Sequence, residues 1–230
     1  MAVNMLFYQT KIERSPIHEW GLFADEDITR AAIVGIMSLE ADITSERTYQ
    51  KAQHENDDVY AKTGVRWVHK FFMFDERRMY EDYINHSHQA NVLYHCGILF
   101  AKRDIRRGEE ITCDYRLLLA QNDVEAFKDK GTDTFVDGYD PRNSLLTSSL
   151  QLVELLRSTE FPQSDEEVDK IIKRFRSLPN IVDPNTLLST TEDKQQGRED
   201  RSGHHAQDQN LRVERQVNLQ KLKKSSDRKD

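Results

Sequence analysis

Short apolar runs broken by polar turns fill the first half of the chain. Residues 5–12 alternate loosely and are rich in strand formers, so the pattern predicts a first strand. Ser15-Pro16 punctuates it, and residues 17–24 then read as a turn entering a second strand, with Gly21 beside bulky Trp20. Residues 33–37 predict another short strand. Residues 44–54 predict a short helix with Thr44 or Ser45 as N-cap. The aromatic run 65–74 predicts one strand, 92–101 a buried one, and 111–115 a further one after the turn Arg106-Arg107-Gly108. Many short strands with few helices give a mainly β class with added helices.

After Leu119 the pattern changes. Residues 120–130 are polar and predict weak helix, and 131–143 predict a turn-rich loop. In 144–157, SLLTSSLQLVELLR, leucines fall at helical spacing and predict an amphipathic helix. Ser164-Asp165-Glu166-Glu167 fits a capping box opening a helix over 168–178. From about Thr190 large apolar residues nearly vanish. The expected division is therefore 1–119 as the main domain, 120–180 as a helical extension on or near it, and 181–230 as a charged, disordered tail.

Composition agrees with a partly unpacked chain. Of 230 residues 37% are hydrophobic and 32% charged, and the formal net charge is -7. The stretch 193–230 holds ten Lys/Arg and seven Asp/Glu, which leaves about -10 on the remainder. An acidic body suits a cationic partner, such as a lysine-rich protein segment, better than nucleic acid. The opening residues lack a long apolar core, so no secretory leader is expected, and no run has the length of a membrane span. The two cysteines, Cys96 and Cys113, do not make a disulfide scaffold. Together these favour a soluble intracellular setting, cytoplasm or nucleus.

The densest chemistry lies in 82–119. Asn85-His86-Ser87 fits an N-glycosylation pattern, though the compartment argues against it. His86, His88, His95 and Cys96 could serve as metal ligands, but no further motif completes such a site and no metal is expected. They could also be ordinary core or turn polar residues. The fourth reading, a cofactor site, comes from the ensemble. EWGLFA at 19–24, NHSHQAN at 85–91 and GEEITCDY at 108–115 stand in that order.

This order resembles the SET-domain family of protein-lysine methyltransferases, whose members show G-x-G-[LIV]-[FY]-A, N-H-S-x-x-P-N and G-E-E-[LI]-x-x-D-Y segments. The resemblance implies the family's β-clip of short curled sheets with a threaded C-terminal segment. It implies S-adenosylmethionine as cofactor and a protein substrate with a target lysine. Residues 1–119 would then be the SET domain. By the same resemblance the cofactor-binding residues are Glu19, Trp20, Gly21, Asn85, His86 and Tyr115. Tyr115 is the catalytic candidate, because a rigid phenol offers one directed oxygen to an amine. Cys113, two residues earlier, is the substrate-channel candidate, and its small size predicts room for di- or trimethylation. The chain departs from the pattern where Glu19 replaces the first glycine, Ala90 the proline and His88 a frequent cysteine. It also lacks the cysteine-rich segment that follows D-Y in many relatives, so packing is expected to close the channel. The competing readings are a catalytically inactive SET-like interaction module and a methyltransferase acting on a small amine.

Overall fold

The structure is a computed structural model that describes residues 6–37, 41–55, 63–75 and 80–159, with isolated positions between 164 and 173. All of them lie in one compact unit, Met1–Pro184. The proposed tail from 181 lies outside the described residues, as does most of the second half of the 168–178 helix. Among the described residues no helix is long and apolar enough to cross a membrane.

The fold is mainly β, built from five small sheets and two helices among the described residues. Strands β1 (Thr10–Arg14) and β2 (Trp20–Ala24) form an antiparallel pair. The first strand therefore starts later than the 5–12 pattern suggests, although Leu6 still bridges to Gly35. Strand β3 (Ile33–Ile36) pairs with β9 (Ile98–Ala101), which pairs in turn with β8 (Val92–His95). Strands β4 (Asp42–Ser45), β6 (Phe71–Phe74) and β5 (Val65–Val68) form another antiparallel sheet.

Helix α1 (Glu46–His54) starts where its cap predicts. The Ser45 side chain accepts from the Thr48 amide, which satisfies one of the first-turn donors. Its place is fixed by Arg66, whose side chain is almost fully buried. The guanidinium donates to Glu46 Oε1 at 2.9 Å and to the carbonyls of Leu119 and Tyr139. One buried fork thus joins α1, β5 and the chain beyond Tyr115.

Two expected single strands are hairpins. The run 92–101 reverses at Cys96-Gly97, both with positive φ (50° and 87°). A two-residue turn of that hand matches strand twist, and Gly97 takes it without steric cost. The run 65–74 reverses likewise at His69-Lys70, with His69 at φ 51°. In 92–101 the nearly continuous apolar run hid the turn, because the strands on either side are largely buried; in 65–74 the polar pair His69-Lys70 was the available signal.

The third correction concerns 120–130, expected as weak helix. It forms β11 (Val124–Lys128), paired antiparallel with β12 (Phe135–Asp137). The extension after 119 therefore opens with a hairpin before any helix. Helix α2 (Pro141–Arg157) follows, with Asp140 capping the amides of Arg142 and Asn143 and Pro141 in its first turn. It packs on β8 and on the turn after Tyr115, while Leu146, Leu150, Val153 and Leu156 stay exposed along its other side.

One core runs through the sheets, from Leu22, Ala24 and Val34 to Leu93, Leu99, Ile111 and Cys113. Burying such side chains contributes about 1.5–3 kcal/mol each.

Candidate functional site

The three sequence segments meet along the stretch 108–115. On one side it bonds to β2: Gly108 N–H donates to Ala24, Ala24 N–H to Glu109, and Ile111 N–H to Leu22, all through backbone carbonyls. On the other side β10 (Thr112–Cys113) pairs parallel with β7 (Asn85–His86), and Ser87 N–H donates to the Cys113 carbonyl. The segment is thus clamped between the Trp20-Gly21 strand and the Asn85-His86-Ser87 turn. Asn91 completes the clamp from within. Its Oδ1 accepts the Thr112 N–H at 2.8 Å and its Nδ2 donates to the Glu110 carbonyl at 2.8 Å, as a neighbouring strand would.

Asn85 ties the turn to the first segment. Its Nδ2 donates to the Trp20 carbonyl at 2.9 Å and to Glu110 Oε1 at 2.7 Å, with the His18 carbonyl at 3.4 Å. Glu110 also accepts from Ser15 Oγ at 2.7 Å. This carboxylate fills the space over Gly21: a Cβ there would stand 2.3 Å from Glu110 Oε1. Glycine at 21 leaves room for this carboxylate, which any larger residue would push aside. Glu19, standing where the family pattern has glycine, has φ 28°, a left-handed value that glycine would take with less strain. Trp20 is half-buried, with the Arg14 guanidinium 4.3 Å over its ring.

His86 and Tyr115 are in direct contact. Tyr115 N–H donates to His86 Nδ1 at 3.1 Å, and the two ring centres are 5.3 Å apart. Tyr115 opens a 3-10 turn (Tyr115–Leu117) whose cap is the Asp114 side chain accepting from Arg116 N–H. Its hydroxyl donates to the Ile84 carbonyl at 2.7 Å, which sets the phenol against the base of the Asn85-His86 turn. Burial, then the nearby carboxylates of Glu125, Asp82 and Glu110 together with Cys113, hold its phenol well above the ordinary range. Burial likewise lowers His86 to about 4, with Asp114 and Asp129 opposing and His88 and Arg116 adding to the drop. His86 is neutral at physiological pH. Because Nδ1 accepts a hydrogen bond, the proton sits on Nε2, which is buried and has no partner in hydrogen-bonding geometry.

The tautomer also decides the metal question. His86, His88 and Asp114 bring ligand-type atoms within 4.8 Å of one another. With Nδ1 of His86 accepting from Tyr115 and Nε2 protonated, this ring has no lone pair for an ion. Asp114 is committed to Arg116, whose Nε and Nη2 lie 2.9 and 2.6 Å from its two oxygens. His95 lies apart on β8, bonded to Ser148 at 3.0 Å. The cluster is an internal polar network.

Cys113 is buried in the core, and burial pushes its thiol up to about 12. It stands in register with His86, one strand away.

Sequence reasoning missed the hairpin partners of the site. Phe127 on β11 stacks with His18 (ring centres 6.5 Å) and lies 6.1 and 6.3 Å from His86 and Tyr115. Asp129, just past β11, accepts the His88 N–H at 2.8 Å. Lys130 Nζ donates to the Pro16 carbonyl. The hairpin therefore touches both the 15–20 loop and the 85–88 turn. The available signal was faint: V-E-A-F-K before D-K-G-T-D, a strand-like alternation followed by turn residues.

A cofactor with ammonium, sulfonium and purine parts finds a suitable acceptor set here. Glu110 and the carbonyls of His18 and Trp20 offer acceptors to a cation. The His86 Nε2–H has no hydrogen-bond partner, but it is buried and lies 3.5 Å from Asp129 Oδ1, so it faces the hairpin. The rings of His18, Phe127 and Tyr115 offer aromatic faces.

Residues 19–116 match the family model of the SET domain. Similar curated proteins include the histone-lysine N-methyltransferase set1 of Dictyostelium discoideum, 33% identical over 121 residues, or 46% of this chain and 8% of that protein. The H3 lysine-4 specific histone-lysine N-methyltransferase of Mycosarcoma maydis is 30% identical over 135 residues, 51% of this chain and 9% of that one. The chain thus spans about a tenth of the length of these relatives. Among solved structures, the Neurospora SET domain protein DIM-5, a histone lysine methyltransferase, aligns at TM-score 0.39 and 20% identity over 48% of this chain and 53% of that one. That likeness is too slight to decide anything, and the assignment rests on the 19–116 match and its motifs. Residues 19–116, the stretch that carries the three motifs, are therefore a SET domain.

Proposed function

We infer that this protein transfers a methyl group from S-adenosylmethionine to the ε-amine of a lysine in a protein substrate. The observation that carries the inference is the seating of Tyr115. Its hydroxyl bonds to Ile84 O and its amide to His86, so the phenol stands against the turn that would hold the cofactor.

Glu19, Trp20, Gly21, Asn85 and His86 would hold the cofactor, which supplies a methyl group on a sulfonium when bound. Asn85 spends its amide donors on Trp20 and Glu110, so it acts by fixing the loop to the turn. The residues around Tyr115 do the rest. A lysine must be neutral to attack, and removing its proton at neutral pH costs about 4 kcal/mol. The carboxylates of Glu125, Asp82 and Glu110 make this end of the site negative and attract a cationic side chain. As the amine is desolvated beside a positive sulfonium its pKa falls. Tyr115 stays protonated, gives its hydrogen to Ile84 O, and keeps oxygen lone pairs to accept from the amine and orient it. His86 does not serve as base: its one lone pair is taken by Tyr115 N–H. The names of the relatives make histones the first protein substrate to test.

The test is transfer of labelled methyl from S-adenosylmethionine to a histone mixture by the purified chain and by Tyr115→Phe. Transfer by the wild type that the variant loses supports the reading. No transfer to any protein, or an undiminished variant, refutes it.

A further inference from the structure

The 85–88 turn is held from two directions. From inside, β10 pairs with Asn85-His86. From outside, a single carboxylate reaches it across 41 residues of sequence. Asp129 Oδ1 accepts the His88 N–H at 2.8 Å and lies 3.5 Å from His86 Nε2. Its Oδ2 accepts both the N–H and the hydroxyl of Thr132 at 2.8 Å and lies 3.6 Å from His88 Nδ1. The side chain is 3% exposed. Thr132 Oγ1 closes the circuit on His88 Nδ1 at 2.9 Å.

The backbone geometry shows that this is a built connection. Asp129 N–H donates to Thr134 O and Asp133 N–H to Asp129 O, so the hairpin turn fixes Asp129 before it meets His88. Several short charge-assisted bonds on one buried carboxylate make a rigid joint. The joint continues inward. The held turn carries His86, and His86 Nδ1 accepts the amide of Tyr115. Displacing His88 would therefore shift both the backbone at Asn85-His86 and the start of the Tyr115 turn.

We propose that Asp129 is a positioning residue that latches the β11–β12 hairpin to the 85–88 turn and so presets the cofactor-facing backbone and Tyr115. This deepens the methyltransferase reading and rests on it for its effect on activity. Asp129 acts through His88 and His86. Hairpin and turn move as one piece while the latch is intact, and the site loosens on the cofactor side when it is cut.

The test compares Asp129→Ala and Asp129→Asn with Asp133→Asn. Asp133 is on the same hairpin turn but exposed, and its carboxylate pairs with Lys128. Amide hydrogen exchange by NMR, without cofactor, reads the latch directly. In wild type and Asp133→Asn the His88 amide is protected; in Asp129→Ala it exchanges faster, and in Asp129→Asn to an intermediate degree, since one acceptor oxygen remains. Titration calorimetry with S-adenosylmethionine should show binding about tenfold weaker in Asp129→Ala, the loss expected for one charge-assisted bond. The KM for cofactor should rise more than kcat falls. If Asp129→Ala does not fold, Asp129→Asn carries the same comparison. Unchanged His88 exchange, or unchanged cofactor affinity in a folded variant, overturns the proposal. A wild type that binds no S-adenosylmethionine refutes the methyltransferase reading instead, and faster His88 exchange in the variant would still support the latch.

Discussion

Gly21→Ala tests whether the Glu110 carboxylate organises the cofactor loop. The backbone at Gly21 is ordinary, so the added methyl meets only its surroundings. Its carbon would lie 2.3 Å from Glu110 Oε1, 2.8 Å from Glu110 Cδ and 3.0 Å from Ser15 Cβ. Glu110 is the end of a flexible side chain and can swing aside. Swinging aside breaks its bonds to Ser15 Oγ and Asn85 Nδ2, each 2.7 Å. Bonds to a charged group are worth about 1.5–3 kcal/mol apiece when buried, and this pair is only partly buried. Replacing glycine returns about 0.4–1 kcal/mol by restricting the unfolded chain. The net expected loss is about 2 kcal/mol, read as the shift in urea midpoint at unchanged slope. A double-mutant cycle isolates the cause. In a Glu110→Ala background the same substitution should be nearly neutral, since only the Ser15 contact remains and a few tenths of an ångström relieve it. If Gly21→Ala costs as much with Glu110 absent as with it present, the loop is not organised by that carboxylate.

Three further outcomes follow from the same geometry. Arg66→Ala should cost about 3–5 kcal/mol in denaturant melts, because the buried Glu46 carboxylate loses its cation, keeping only the Gln121 N–H, and the Leu119 and Tyr139 carbonyls lose a donor; a loss under about 1 kcal/mol would show that the fork is incidental. Stability should fall as pH drops below about 6.5, because the unfolded chain then takes up a proton that His86, held near 4, refuses; by pH 4.5 the loss from this group is roughly 2–3 kcal/mol, and a His86→Asn variant that loses stability just as steeply over that window would refute it. Cys113→Tyr should destabilise by about 1–3 kcal/mol through overpacking of a buried site, and mass spectrometry of the product should show fewer methyl groups per lysine if Cys113 borders the channel; an unchanged product removes it from that role.

What the sequence determined by itself was local or written in fixed strings. Ser45 caps α1, because caps act within one helical turn, whereas α2 begins at Pro141 with Asp140 as its cap, three residues before the expected start at 144. The three motifs carried the family because their order and residue types survive in the string itself. Tertiary structure decided what depends on partners far along the chain. The apolar run 92–101 gave little sign of reversing at Cys96-Gly97, since strands buried in a sheet need no polar alternation; in 65–74 the polar pair His69-Lys70 stood in the string, but only the pairing of the flanking strands made it a turn. The strand-forming power of 124–128 showed only when 135–137 paired with it. Most of all, the roles of Glu110 and Asp129 were invisible. A carboxylate reads as a solvated charge until the fold brings Ser15 and Asn85, or His88 and Thr132, within hydrogen-bonding distance and removes the water that would otherwise compete.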